Sequence, residues 1–382
     1  MKLLVISHSA FLRVNQALYG ELALPGAEVT VLAPSEWRAD FASAKTKLQK
    51  SGGEKFSLLG GNVAFGGKIN YFFFTSPLLL GMRRARPDIV LIDEEPWSFS
   101  ALQAAAAARL FGAEPVFYTK ENLPRRLRFP LPIVERTVFA LCGNAFAISD
   151  ESAELLGKRG FKGRVEKLYL GIDTALFRRR DAAALRKKLG LKGFVAGYMG
   201  RLIREKGVET LLDACAELDF EFTAVIDGFG DEGYRKELEE RAAELGIRGR
   251  VVFVNPDYLE MPHYISALDA LVLPSRTTPH WKEQFGRVLV EAMACGVPVI
   301  GSDSGSIPDV IGDAGIVFRE GDAAELAGAI SKMRNSKGIS AAFAAKGRRR
   351  AAERFSWERI AQDANVLFGK IMRGREKNAA KN

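Results

Sequence analysis

Four charged side chains in the second half of the chain carry the most chemical information. Glu283 and Glu291 stand with seven residues between them, and Arg201 and Lys206 stand five positions apart. Phe285 and Gly286 follow Glu283, and residues 287–294 combine good helix formers with apolar groups at helical spacing. Gly296 suits the cap of that helix, and 297–300 suit a short buried strand in which Pro298 favours extended chain. One acid therefore sits in a loop at a helix start, and the other rides on the helix. A helix start offers free backbone N–H groups and the positive end of the dipole, which suits a phosphate. Carboxylates repel a phosphate, so the two acids suit hydroxyl groups, and a sugar and a ribose supply these. Arg201 and Lys206 flank a strand-to-helix turn, where a guanidinium fork and an ammonium point charge can meet one diphosphate. The ligand that combines these parts is a nucleotide-sugar. The bland alternatives are a solvated first helical turn for the glutamates and a solvated basic loop for the cations.

The elements around these residues alternate. Residues 3–6 form an apolar run of strand length, 14–24 a helical pattern and 27–32 a second strand, which is the start of a doubly wound sheet. Further strands are expected at 87–92, 116–118 and 145–149, with helices at 100–110 and 151–159; Ser149 and Asp150 suit the cap of the latter. Residues 40–64 are polar and read as a mobile excursion. The apolar pattern breaks near 177–180, and the alternation then restarts with strands at 194–199, 222–226, 251–254, 270–273 and 297–300. The domains are drawn at 1–175 and 176–364. Two basic helices, 341–354 and 357–372, end the chain, with 373–382 expected to fray.

The acids Asp93, Glu94 and Glu95 lie beyond the carboxyl end of a parallel strand, where open α/β sheets bind ligands. In the second half, Gly200 follows the strand at 194–199, Asp227, Gly228 and Gly230 follow that at 222–226, and Ser275 stands in the polar loop 274–281, which also holds His280 and Trp281 and should line the cleft. Gly228, Gly230 and Gly233 match a dinucleotide-binding pattern literally, but a lone match is weak, and it falls on the second strand of its half. Ser302–Ser306 suits either phosphate binding by backbone N–H groups or a helix cap. In the first half, His8 and Asn15 follow the first strand, Glu95 and Trp97 follow the strand at 87–92, and Glu121 follows the next. Each has a structural reading beside the functional one, and Pro96-Trp97 equally suits a helix start. The segment Arg125-Arg126-Leu127-Arg128-Phe129-Pro130 mixes cations with apolar groups, which suits an anionic membrane surface or a solvated basic loop.

Composition sets the outer bounds. The chain has 382 residues, 47% of them hydrophobic and 26% charged, enough for two domains with cores of their own. A net charge of +9 suits phosphate-bearing ligands, nucleic acid or an anionic membrane alike. Cys142, Cys215 and Cys295 lie in apolar surroundings without paired spacing and read as reduced core residues of a cytosolic protein. No apolar run is long enough to span a bilayer. An Asp-x-Asp triplet, zinc spacing, a Gly-x-Ser-x-Gly elbow and a Walker loop are all missing.

The run from Glu283 through Phe285-Gly286 and Glu291-Ala-Met-Ala-Cys-Gly-Val-Pro-Val-Ile resembles the Glu-x7-Glu signature of the family 4 retaining glycosyltransferases. The frame Gly200-Arg201-Leu202…Glu205-Lys206-Gly207 resembles the same family. The resemblance covers nearly all of the second half, and the first half by architecture only. It implies a GT-B fold, α/β, with two Rossmann-like doubly wound domains facing across a cleft and a last helix, about 365–382, crossing back to the first domain. It implies transfer of a hexose-type sugar from a nucleoside-diphosphate sugar to an acceptor hydroxyl of a glycan, a lipid-linked molecule or a small molecule, with retention. Glu283 would hold hydroxyls of the transferred sugar, Glu291 those of the ribose, and Arg201 and Lys206 the leaving diphosphate. Gly200, Asp227, Gly228, Gly230, Tyr258, Ser275, Phe285 and Gly286 would line the donor site, with Tyr258 beside the base. His8, Asn15, Glu95 and Glu121 are the acceptor-side candidates. No cofactor and no metal are expected, the partner is the donor with its acceptor rather than nucleic acid, and the place of work is the cytoplasm or the inner face of a membrane. Three departures stand out: the first loop has Ser7-His8-Ser9-Ala10 in place of a glycine pair, Glu121 stands near where related enzymes commonly have a histidine, and Asn255 stands where the family usually has glycine. A nucleotide-sugar epimerase on the same fold and a non-catalytic binder are the alternatives.

Overall fold

The computed structural model describes residues 1–23, 26–38, 45–50, 52–76 and 78–379. Two compact units share the chain: Met1–Gly171 with Trp357–Asn382, and Ile172–Ser356.

The first unit contains the strands β1 (Lys2–Ile6), β2 (Glu28–Pro34), β3 (Glu36–Trp37), β4 (Thr46–Lys47), β5 (Ser57–Ala64), β6 (Phe73–Ser76), β7 (Ile89–Ile92), β8 (Glu114–Thr119), β9 (Asn144–Ala147) and β10 (Arg164–Lys167). Eight of them form a sheet in the order β10-β9-β8-β7-β1-β2-β5-β6, while β3 and β4 make a small antiparallel pair. All pairings in the large sheet are parallel except β5 with β6. The central strands are apolar at every position because helices cover both faces of a parallel sheet: all four residues of β7 are buried. The helix Phe99–Leu110 sits close to the sheet because Ala101, Ala104, Ala105 and Ala108 present no bulk there. The chain runs from β1 out through β2, β5 and β6 and then returns to β7 on the other side of β1, so β1 and β7 flank the point where strand order reverses.

The polar stretch at 40–64 is not one excursion. Its residues 40–44 and 51 lie outside the described residues, but Ser57–Ala64 is a strand paired with both β2 and β6. Gly60 and Gly61 hide the alternation expected of a strand. Glycine is needed there, since a Cβ on Gly61 would fall 2.7 Å from Cδ1 of Phe74.

The chain returns to the first unit at Trp357. The helix Trp357–Ala379 buries Ile360, Ala364, Leu367 and Phe368, and Phe368 meets Phe146 edge-on at 5.8 Å. Fraying from 373 does not occur in the backbone up to Ala379, because Arg375 Nη2 donates to the Gly112 carbonyl at 2.7 Å. Positions 380–382 lie outside the described residues. The units divide at 171 and 356 rather than at 175 and 364, and the amide of Ile172 bonded to the Phe355 carbonyl at 2.8 Å is one reason.

The second unit contains β11 (Phe194–Tyr198), β12 (Phe222–Asp227), β13 (Val251–Val254), β14 (Ala270–Leu273), β15 (Val299–Ser302) and β16 (Gly315–Phe318). They form one all-parallel sheet in the order β13-β12-β11-β14-β15-β16. That order reverses between β11 and β14, which in doubly wound sheets is where ligands bind. Among the described residues no helix is long and apolar enough to cross a membrane.

If the C-terminal helix is integral to the first unit, Phe368→Ala should cost about 3–5 kcal/mol, the usual range for emptying a buried aromatic site. Urea unfolding of the whole chain measures it; a loss below about 1 kcal/mol would mean the helix is only loosely attached.

Candidate nucleotide-sugar site and its relatives

Two loops rise side by side from the switch point of the second sheet. The first leaves β11 through Met199, Gly200 and Arg201, makes a short turn at Arg204–Lys206, and enters the helix Val208–Ala216 through Gly207. The second leaves β14 at Pro274 and enters the helix Arg287–Ala294 through Gly286, whose φ of 78° is left-handed. Because β11 and β14 are neighbours, residues 77 positions apart meet: Lys206 Nζ lies 2.6 Å from Glu283 Oε2. Ser275 Oγ donates to the same oxygen at 2.8 Å. The Lys206 ammonium also lies 5.1 Å from the centre of the Trp281 ring.

A third loop holds this arrangement from behind. The amide of Ser306 donates to the Glu283 carbonyl at 3.1 Å, and Ser302 Oγ donates to the Ser275 carbonyl at 2.6 Å. Gly305, at φ 58°, lets the two backbones approach: a Cβ there would fall 2.0 Å from the Glu283 carbonyl oxygen. The serine-rich stretch 302–306 thus supports the Glu283 loop.

The two glutamates are equally buried, each 6% exposed, yet they titrate in opposite directions. Burial pushes the Glu283 carboxyl up, but the Lys206 ammonium and the hydrogen bonds from Lys206, Ser275 and the Gly286 amide outweigh it, so its pKa stands below the ordinary glutamate value. Glu291 has only the charge of Arg287 against its burial, and it is pushed up to about 7. Tyr258 is half-buried, edge-on to Phe177 at 5.5 Å, and its hydroxyl is raised by burial and then by the charge of Glu291.

Asp227 ends β12 and is buried; burial lifts its carboxyl to about 6 against hydrogen bonds from the Phe229 and Gly200 amides. Gly228 donates its amide to the Val254 carbonyl at 2.7 Å. The room at Gly230 is filled by Leu202, whose carbonyl oxygen would lie 2.6 Å from an added Cβ. That glycine joins two loops. Gly233 lies in the first turn of the helix Glu232–Glu244, capped by Asp231. Arg201 keeps an exposed side chain, and its carbonyl accepts the Tyr198 hydroxyl at 2.6 Å. Phe285 is buried and meets Phe355 edge-on at 5.6 Å, so its side chain packs in the core beneath the loop.

Residues 181–350 match the family described as Glycosyl transferases group 1. The second unit is a group 1 glycosyltransferase domain. Over 231 residues the chain is 32% identical to a D-inositol 3-phosphate glycosyltransferase of Salinispora arenicola, covering 55% of this chain and 50% of that one. It thus spans about half the length of that relative. A 2-deoxystreptamine glucosyltransferase of Streptomyces kanamyceticus is 27% identical over 323 residues, covering 77% of this chain and 80% of that one. Among solved structures, Anabaena HepE in complex with UDP superposes with a TM-score of 0.73 at 23% identity, covering 97% of this chain and all of that one. The fold is GT-B.

Outside the group 1 domain, the acceptor-side candidates lie beyond the carboxyl ends of β1, β7 and β8, each with partners. His8 Nδ1 lies 2.7 Å from Glu94 Oε2. Asn15 donates to the Ser9 carbonyl at 3.0 Å. Glu95 accepts from Thr119 Oγ1 at 2.6 Å and the Lys120 amide at 2.7 Å, and burial lifts it to about 7. Glu121 accepts the Leu123 amide at 3.1 Å and pairs with Arg125. Trp97 is buried, and its indole donates to Asn70 at 3.0 Å; the helix beyond it starts with a cap at Ser98. Sequence reasoning noted the three consecutive acids at the end of β7 but named only Glu95 among them, and it did not single out Lys120. Lys120 Nζ lies 2.6 Å from Asp93 Oδ1, and Asp93 Oδ2 accepts from Ser7 Oγ at 2.9 Å.

A carboxyl raised on folding favours the native state when protonated, so its contribution is lost as pH rises from the ordinary value toward the raised one. For Glu291, between about 4.5 and about 7, the loss is roughly 3 kcal/mol. Glu291→Gln should therefore be more stable than the parent at pH 8 and comparable at pH 5. Urea unfolding at the two pH values tests this; an equal difference at both would show that Glu291 does not titrate in that window.

Proposed function

We propose that the chain is a retaining glycosyltransferase that moves a hexose-type sugar from a nucleoside-diphosphate sugar to an acceptor hydroxyl. The observation that carries this reading is the Lys206–Glu283 pair at the switch point of a group 1 domain. Glu283, held ionised by Lys206 and Ser275, accepts hydrogen bonds from hydroxyls of the transferred sugar and stabilises positive charge as the anomeric bond opens. Lys206 and Arg201 meet the departing diphosphate. Glu291 takes the ribose hydroxyls, and Tyr258 lies beside the base. Gly200, Asp227, Gly228 and Gly286 offer backbone and hydrogen-bond partners around the donor. Positive charge comes from these cations and from helix starts, so no metal is required. HepE, with the same fold, has been solved with UDP-glucose, which makes that donor the first to try.

The test is a panel of labelled nucleotide-sugars incubated with the whole chain. Free nucleoside diphosphate with a glycosylated product supports a transferase, an altered donor means an epimerase, and binding without turnover means a binder. With the donor found, turnover should persist in EDTA. Glu283→Gln should lower kcat about a hundredfold or more while the fold persists by circular dichroism. Lys206→Ala should weaken nucleoside-diphosphate affinity about ten- to a hundredfold, as expected for a lost charge-assisted contact. Near-normal transfer in the first variant, or unchanged affinity in the second, would remove that residue from the mechanism.

The acceptor is a glycan, a lipid-linked molecule or a small molecule. Arg125, Arg126 and Arg128 beside Phe129, which is 83% exposed, suit contact with an anionic membrane that carries a lipid-linked acceptor. Sedimentation should then bring the protein down with vesicles containing anionic lipid and not with neutral ones, and Phe129→Ser should reduce it. Equal recovery with both kinds of vesicle argues against the contact.

A further inference from the structure

His8 and Glu94 form a unit that the donor chemistry does not use. Both oxygens of Glu94 serve His8: Oε1 accepts the His8 amide at 2.6 Å, and Oε2 meets Nδ1 at 2.7 Å. The Glu94 side chain is fully buried, whereas that of His8 keeps 21% of its surface open. Trp37 at 5.1 Å and Phe72 at 5.8 Å, both buried, fix the ring from its sides. A carboxylate can only accept, so Nδ1 carries the proton. The neutral imidazole then keeps the lone pair of Nε2, for which no partner is found among the described residues.

We propose that His8 Nε2 accepts a hydrogen bond from a ring hydroxyl of the acceptor, with Glu94 as the positioning residue that sets its tautomer and direction. Naming the ligand an acceptor rests on the transferase reading above; the polyhydroxylated chemistry rests on the site. An acceptor hydroxyl must lose its proton on transfer, so a group that draws on that proton suits it better than one that donates. The surrounding charges act on the ring from both sides. Burial disfavours the imidazolium, Glu94 and Asp93 favour it, and Lys120 opposes it, with the outcome above the ordinary histidine value. Tyr19 faces the same cluster through its hydrogen bond to Asp93 at 3.2 Å. Binding through the neutral ring must strengthen as pH rises through the His8 pKa, and must lower that pKa.

The experiment is two-dimensional imidazole NMR on the full chain, titrated with methyl α-D-glucopyranoside and with myo-inositol. The chain has only three histidines, so the His8 signals are assigned by their loss in His8→Gln. Expected are an Nδ1-protonated tautomer, a probe-dependent shift confined to His8, and a lower His8 pKa in the bound state. Glu94→Gln should abolish the tautomer preference, lower the His8 pKa in the free protein and weaken the probe at least about tenfold, with the signals of His263 and His280 unmoved. No perturbation of His8 by either probe, or a His8 pKa that rises on binding, overturns the proposal. If the His8 result holds while the donor panel gives no transfer, the transferase reading falls and the hydroxyl site stands.

Discussion

A buried carboxylate needs a reason to stay charged, and the second unit is arranged around supplying one. Glu283 and Glu291 share one motif and one degree of burial, yet differ in partners. Lys206, Ser275 and the Gly286 amide hold the first ionised, while the second is lifted to about 7. Desolvation alone would lift both. The ion pair therefore does more than tie two loops together: it fixes the protonation state of the residue most suited to a sugar hydroxyl. A pair this enclosed adds little net stability, because desolvation offsets most of its attraction, and breaking it by removing one member is costly.

Much of the local backbone follows from that pair. Lys206 reaches Glu283 only if the loops after β11 and β14 stand side by side, which the reversal of strand order provides. Glu283 stays in place only if the loop after β15 can press against its backbone, and Gly305 permits this. Phe285, one residue beyond the next, anchors the loop by packing against Phe355. Each support has a steric or hydrogen-bonding reason, and each sits on the carboxyl-end side of one sheet.

The first unit handles charge differently. Asp93, Glu94 and Glu95 leave one strand end in succession and go to three separate destinations: Lys120 with Ser7, His8, and Thr119 with the Lys120 amide. Acids that would repel one another as a cluster are thus divided among donors from β1 and β8. The two side chains left partly open, His8 and Lys120, are each backed by a carboxylate less exposed than themselves. Such backing removes rotational freedom from a group before a ligand arrives.

Sequence alone determined a good deal. Alternating apolar runs and helical patterns specify two doubly wound sheets, because a strand buried on both faces must be apolar throughout and a covering helix must be amphipathic. The glutamate pair, the Arg201–Lys206 loop and their likeness to a glycosyltransferase family are local features, readable without coordinates. The strand Ser57–Ala64 escaped because its glycines carry no alternation. Tertiary structure alone decided that Lys206 meets Glu283 across 77 positions, that Glu94 rather than Glu95 meets His8, and that two like glutamates have their pKa values pushed in opposite directions. The physical reason is that a proton's affinity depends on the groups brought within a few ångströms in space, and strand order, not separation along the chain, chooses those groups.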